Sequence, residues 1–384
     1  MKTLFQNLIR SFRSCRVLVL GLPLCVVPLR LDFVGDIMVH EEQLEHAWNK
    51  DSQSHDFEPE FQRIAPFLKG DAVIGNFETV LSGQEPYTGY PAFNSPDALA
   101  DALKKAGFTT LLLANNHILD RGTRGAERTW RVLGESGFEV TGVFPENEEV
   151  RPLLITRKGM RVGIVSGTYG INAPLTRKQL GGLTVLDLDA QRIARDIAWL
   201  REQKADIIIA AFHWGDEYQS EPSQSQKQLA ALCLEQGVDA VMGTHPHVLQ
   251  PVELVRENGK TQVVAWSLGN FISAQRTLPR ERSVIVSLDI ARQGKENQAV
   301  LQRVRLMPIW VEKKRVPDGG HALAVCPALP AESLHAEELF GLEEGALRAK
   351  LDVINWEVLT FLGVNGAPDE DGFYTIYDAD AEKR

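Results

Sequence analysis

Residues 238–253 read VDAVMGTHPHVLQPVE. The apolar stretch Ala240–Met242 gives way to two small residues and then to His245-Pro246-His247. A short apolar run bounded by turn formers reads as a buried strand. In an extended segment alternate residues face one side, so the two imidazoles are expected to point together off the strand's C-terminal end. Pro246 fixes one backbone angle and stiffens the pair, and Gly243 and Thr244 ease the turn. Two imidazoles so placed can hold one divalent ion or reach two neighbouring ones.

Outward from this stretch the same pattern recurs. ADIIIAAFHWG (205–215) is a strand delivering His213; LRLDFVGDIMV (29–39) ends near Asp36; GDAVIGNFE (70–78) ends near Asn76, with Glu78 two residues on; TTLLLANNH (109–117) delivers Asn116 and His117. Helices separate these strands. One starts at Ser95-Pro96-Asp97, with Ser95 as cap, and stops at Gly107. Others cover GAERTWRVLGESG (125–137), about Asp189 to Gln203 and about Ser223 to Gln236. FEVTGV (138–143) is a short strand. Hairpins are expected at Lys158-Gly159, at Asn258-Gly259 and across residues 283–311. From about Pro317 the chain reads as loop, then as a helix through residues 342–363. Strand–helix alternation followed by hairpins predicts an α/β protein with mixed sheets. The C-terminal ends of strands in such sheets line the ligand crevice. Five strands should therefore gather Asp, Asn and His residues at one edge. That mixed oxygen and nitrogen set, without a thiolate, suits Mn, Fe, Zn or Mg, as one ion or two.

The 384 residues are 44% hydrophobic and 24% charged, the composition of a globular protein, and the formal net charge is −10. That balance excludes a protein that binds nucleic acid through its overall charge. The first residues differ from the rest. Lys2, Arg10, Arg13 and Arg16 come without an acid, and an uncharged run from Val17 to Leu29 follows. This reads as a signal peptide or an N-terminal membrane anchor over residues 1–28, and so as an exported protein; the run is shorter than the ~20 apolar residues of a spanning helix. Cys233 and Cys326, far apart in the body, make no disulfide framework. His46, His55 and His321 are expected at the surface, and Trp199, Trp310 and Trp356 in the core.

GDIM, GNFE, ANNHILDRG, HWGDEY, GTHPHVLQPVE and SLGNF occur in that order over most of the body. The ordered set resembles the metallophosphoesterase superfamily, and more closely the CapA family of capsule and poly-γ-glutamate synthesis proteins. The resemblance implies an α/β/β/α sandwich of two mixed sheets flanked by helices. It divides the chain into the leader (1–28), the CapA-type domain (29–315) and a C-terminal loop and helical extension (316–384). Carried over residue by residue, it implies Asp36, Asn76, Asn116, His213, His245 and His247 as metal ligands and His117 as the group that stabilises the transition state. Asp120 would orient His117. Two positions depart from the superfamily pattern: Met38 stands where a histidine ligand is expected, and Asn76 where a bridging aspartate is expected. Glu78 is a candidate metal ligand that restores the missing negative charge, and Asn270 a candidate to hold the histidine turn. The implied function is hydrolysis of a phosphoester of a cell-envelope substrate by metal-activated water. The alternatives are a non-hydrolytic accessory role in polyglutamate synthesis or export, and a metal-dependent γ-glutamyl amide hydrolase. The partners implied are an anionic polymer or phosphoester substrate and other capsule-synthesis membrane proteins.

Overall fold

The computed structural model describes residues 27–382, apart from 173–176, 258, 295–296, 316–319 and 331–344. The leader through residue 26 and the turn residue Asn258 lie outside the described residues. Along the chain the main strands are β1 (Leu29–Ile37), β2 (Ala72–Phe77), β3 (Thr110–Leu112), β4 (Glu139–Thr141), β5 (Leu153–Arg157), β6 (Met160–Thr168), β7 (Ile207–His213) and β8 (Ala240–Thr244). They are followed by β9 (Val252–Glu257), β10 (Lys260–Ala265), β11 (Asn270–Ile272), β12 (Arg282–Gln293), β13 (Gln298–Arg315), β14 (His321–Pro327) and β15 (Tyr374–Asp378). The main helices are α1 (Glu41–Ala47), α2 (Ala98–Ala106), α3 (Gly122–Glu135), α4 (Ala190–Glu202), α5 (Gln224–Glu235) and α6 (Gly345–Leu362).

Strands apolar on both faces need cover on both sides. Two stacked sheets meet that need. The first, of nine strands, runs β14-β13-β12-β1-β2-β3-β4, with β11 beside the end of β1 and β15 on β13. β1 to β4 are parallel, and β12 and β13 form the expected long antiparallel hairpin. The second, of six strands, runs β9-β10-β8-β7-β6-β5, with β6, β7, β8 and β10 parallel. Alternation along β7 shows the layering. Ile207, Ile209 and Ala211 enter the core between the sheets with Leu31, Phe33 and Ile74 of the first sheet. Ile208, Ala210 and Phe212 face outward, under Ile193 and Ile197 of α4 and Cys233 of α5. On the far side of the first sheet, Leu44 of α1, Leu99 and Leu103 of α2 and Leu133 of α3 form the other outer core. The result is the expected helix–sheet–sheet–helix sandwich.

Three expectations need correction. The start of α2 is not capped by Ser95, whose hydroxyl meets that of Thr79 at 2.7 Å, and Asp97 instead takes a two-pronged bond from Arg128 of α3. Tertiary partners, the Thr79 hydroxyl for Ser95 and the Arg128 guanidinium for Asp97, have taken the side chains that would cap locally. The segment from residue 316 is more than loop and helix. It adds β14 and β15 to the first sheet, both on the edge of β13 that β12 leaves free, and α6 lays Leu351, Ile354 and Val358 on the inter-sheet core. Trp356, on the other face of α6, is 66% exposed rather than core.

Candidate metal centre

Every candidate side chain leaves the C-terminal end of a parallel strand. Asp36, at the end of β1, sits opposite Asn76 of β2 on one side and Asn270 of β11 on the other. His213 ends β7, opposite Thr244 of β8. Asn115, Asn116 and His117 follow β3, and His245 and His247 follow β8. The parallel register of each sheet puts these ends level, and stacking closes the two rows over one another. All of Asp36, Asn76, Glu78, Asn116, His117, His213, His245 and His247 are buried.

The cluster is a connected polar network. Asn76 donates its amide to Asp36 Oδ1 at 2.7 Å and lies 3.2 Å from His213 Nδ1. His213 Nε2 meets Asn116 Oδ1 at 2.8 Å. Asp36 Oδ2 receives the backbone N–H of His245 at 3.2 Å and stands 3.2 Å from His247 Nδ1. His247 Nδ1 also meets Asn270 Oδ1 at 2.9 Å, so Asn270 holds the histidine turn as expected. His117 Nδ1 pairs with Asp120 Oδ2 at 2.8 Å, and that oxygen is itself fixed by the backbone N–H of Phe93 at 2.7 Å. This second bond locks the orienting carboxylate, and the Phe93 ring packs edge-on against the imidazole, 4.6 Å between centroids.

Glu78 is the focus. Its Oε1 lies 3.7 Å from His213 Nε2, 3.9 Å from His247 Nε2 and 4.0 Å from His117 Nε2, yet has no hydrogen-bond partner among the described residues. His245 Nδ1 is likewise buried and unpartnered. Two groups have ligand atoms all within 4.8 Å of one another: Glu78 with His245 and His247, and Asp36 with Glu78 and His213. Glu78 belongs to both. Burial, followed by the charge of Asp36, pushes the Glu78 carboxyl well above its ordinary value. Burial, followed by the neighbouring imidazoles, pushes His213 well down and His245 down to about 4. Neutral imidazoles are the ligand form, and a crowded acid with an orphaned oxygen lacks a cation. The residues therefore fit a divalent ion, with carboxylate, amide and imidazole donors.

The His-Pro-His turn reaches this arrangement by a different route from the expected extended pair. His245 has φ 98° and His247 φ 57°, both in the left-handed region, and the chain bends through residues 245–248. Such backbone costs of order 1–3 kcal/mol per residue and persists only where surroundings enforce it. Here the Asp36–His245 and Asn270–His247 contacts do so. The two imidazoles face the same centre because the chain doubles back, not because it is extended.

Met38 is buried, its backbone tied to Ile272 and Gln43, and brings no donor to the cluster. His40 does not replace it. Its Nδ1 accepts the Ala274 N–H at 3.3 Å, and Phe93 stands edge-on to both His40 and His117. Glu217 is exposed at the rim. Sequence reasoning missed Asn115, whose amide holds Phe77 O at 2.8 Å, and Asn172, which bonds Asn116 and lies 3.3 Å from His117 Nε2. Asn172 follows the end of β6, the same signal that marked the others. It also missed the rim rings Tyr169, 4.4 Å from the His245 ring, and Tyr218, 6.1 Å from that of His247.

Among known proteins, the capsule biosynthesis protein CapA of Bacillus anthracis is 27% identical over 338 residues, 84% of this chain and 76% of that protein. The PGA biosynthesis protein CapA of Bacillus subtilis (strain 168) is 29% identical over 273 residues, 69% of each chain. Among solved structures, the calcineurin-like phosphoesterase YfkN from Bacillus subtilis is similar at a TM-score of 0.42 and 14% identity, covering 73% of this chain and 90% of that one. A likeness at that score carries no weight for the chemistry here. Residues 30–275, which span every side chain of the cluster, match the family described as bacterial capsule synthesis protein PGA_cap, and the chain belongs to that family.

Proposed function

We propose that the chain is a divalent-metal-dependent hydrolase that cleaves a phosphoester of a cell-envelope substrate outside the cytoplasm. The observation that carries this reading is Glu78 Oε1, buried and unpartnered within 4.0 Å of three imidazole nitrogens. Asp36, Glu78, His213, His245 and His247 would hold the ion or ions, with Asn116 as a neutral oxygen donor and Asn76, whose amide nitrogen faces the acids, able to join them only with its amide turned over. Because Glu78 belongs to both candidate ligand groups, it stands in for the bridging carboxylate that Asn76 cannot supply. A bound divalent ion supplies Lewis acidity: it activates water and offsets charge developing on a phosphoryl oxygen. His117, with Nδ1 turned to Asp120, presents Nε2 to exchange a proton with a departing oxygen. Asp120 is a positioning residue.

The test is turnover of bis(p-nitrophenyl) phosphate by the full chain after reconstitution with Mn, alongside metal analysis. His117→Ala should lower kcat by about 10²–10⁴-fold with metal content intact, the usual worth of a positioned acid. His245→Ala should lower metal content itself. Turnover that survives both changes would remove these roles.

One observation favours a second reading. Asn76 turns its amide nitrogen, a donor, toward Asp36, Glu78 and His213. A neutral group at the bridging position weakens a second metal and makes a one-metal γ-glutamyl amide hydrolase, or a non-hydrolytic accessory of polyglutamate assembly working with other capsule-synthesis membrane proteins, the competing account. Near two ions per chain supports the phosphoesterase; none supports the accessory. Export agrees with the basic and apolar leader; among the described residues no helix is long and apolar enough to cross a membrane.

A further inference from the structure

Beside the candidate centre lies a cation that the proposed chemistry does not use. Arg280 sits on the short turn between β11 and β12, with its guanidinium carbon 3.6 Å from the centroid of the Tyr218 ring. That ring is 41% exposed and adjoins His247. Its neighbours on the same segment are paired: Arg276 with Glu281, and Arg282 with Glu357. Among the described residues no carboxylate lies within ion-pair distance of Arg280. Glu217 is the nearby acid on the rim, and burial, followed by that carboxylate, pushes the Tyr218 phenol up to about 12. In a chain of net charge −10, an unpaired and half-buried guanidinium at the mouth of the cluster is conspicuous.

Its position is fixed from two sides. Asn270, which holds His247 through Oδ1, donates Nδ2 to the Arg280 carbonyl at 3.1 Å. The Tyr218 N–H donates to the Pro246 carbonyl, inside the His-Pro-His turn, at 2.8 Å. Tyr218 itself has φ 64°, a strained backbone kept by that bond. Arginine and tyrosine are thus tied separately to the same histidine turn. A guanidinium lying flat on an aromatic face keeps its N–H donors at its edge, in the plane that matches a carboxylate or phosphate.

We propose that Arg280, held on Tyr218, receives a second oxyanion of the substrate, one ring away from the reacting centre, and so selects anionic substrates. This rests on the reading that the cluster is where substrate binds. The oxyanion could be a carboxylate of an acidic polymer or a phosphoryl group, which share this recognition chemistry.

The experiment measures binding without turnover, on the metal-free full chain. Fluorescence anisotropy follows a labelled hexaglutamate, with a neutral hexaglutamine as control and inorganic pyrophosphate as competitor. Arg280→Ala should weaken an anionic probe about tenfold or more at low salt, the worth of one charge-assisted contact, and leave the neutral control unchanged. Arg280→Lys should recover only part, because an ammonium lacks the fork. Dependence on Arg280 in the hexaglutamate arm alone identifies a carboxylate, and in the pyrophosphate arm alone a phosphoryl group. Equal affinities of the native chain and Arg280→Ala in both arms overturn the proposal, as does a native chain that binds neither probe. A chain that binds anions through Arg280 but hydrolyses nothing sinks the hydrolase reading and leaves this one standing.

Discussion

The two sheets bring different chemistry to the same place. The nine-stranded sheet supplies oxygen: Asp36, Asn76, Glu78 and Asn116 follow β1, β2 and β3. The six-stranded sheet supplies nitrogen: His213, His245 and His247 follow β7 and β8. Each candidate ligand group draws on both sheets. The oxygen side is crowded with acids that repel one another, and on the nitrogen side burial pushes the His213 and His245 imidazoles down toward the neutral form. The two halves also differ in how far each side chain serves the fold. Asp36 is held by Asn76, His245 and His247, so it ties the sheets together as well as offering a ligand. The His245 ring has no such duty. Its Nδ1 is unpartnered, and tilted or edge-on ring contacts with Tyr169, His213 and His247 hold it.

That asymmetry can be broken experimentally. Asp36→Ala should be the most damaging change. It strands the buried His245 N–H, takes one acceptor from the Asn76 amide and from His247 Nδ1, and should cost about 3–5 kcal/mol in the metal-free protein, read as a lower denaturation midpoint, besides abolishing metal binding. Next come two glycines that stand just before ligands, one in each sheet. A Cβ on Gly35 would lie 1.8 Å from the Gly269 carbonyl oxygen, and one on Gly243 would lie 1.9 Å from that of Trp266. Both clashes fall on the segment 266–270, which crosses between the sheets. Gly35→Ala and Gly243→Ala should each destabilise by about 2–4 kcal/mol, since backbone must move to relieve overpacking, and should lower metal content together with stability. If either variant melts like the native protein, that segment is not what clamps the halves.

Glu60 offers a pH-dependent contrast away from the centre. It is buried, bonds only Gln43 through Oε2, and is pushed by burial from 4.5 up to about 8. In the unfolded chain this carboxyl gives up its proton near 4.5, while in the folded chain it keeps the proton to about 8. Folding is therefore progressively opposed as pH rises between those values, and the penalty is constant above them. Glu60→Gln should match the native protein near pH 4 and exceed its stability by about 1–3 kcal/mol at pH 9, less than the full ~1.4 kcal/mol per unit that linkage allows. Equal melting of the two at pH 9 would show that the carboxyl is solvated.

The smallest effect expected is also the sharpest test of the comparison. His245→Gly removes a ring with no hydrogen-bonded partner and relieves φ 98°. The gain, about 1 kcal/mol from the glycine-favoured backbone, roughly offsets the lost stacking. The variant should melt within about 1 kcal/mol of the native protein yet lose metal, separating a purely chemical ligand from Asp36. A large loss of stability would mean that the imidazole is structural after all.

The sequence by itself determined the strand ends, the order of the motifs, the family and nearly every residue of the cluster, because apolar runs, turn formers and helix periodicity are local signals that survive in one dimension. It also placed Asp120 behind His117 and Asn270 behind the histidine turn. Tertiary structure alone decided how His245 and His247 come to face one centre, since a left-handed turn in a non-glycine residue is stabilised only by distant partners, here Asp36 and Asn270. It alone placed Glu78 in both candidate ligand groups, because the position of a side chain relative to another sheet depends on how the sheets stack. The strands β14 and β15, the exposed Trp356 and the Arg280–Tyr218 pair were hidden for the same reason: each is defined by a neighbour far away in sequence, and no periodicity along the chain records that neighbour.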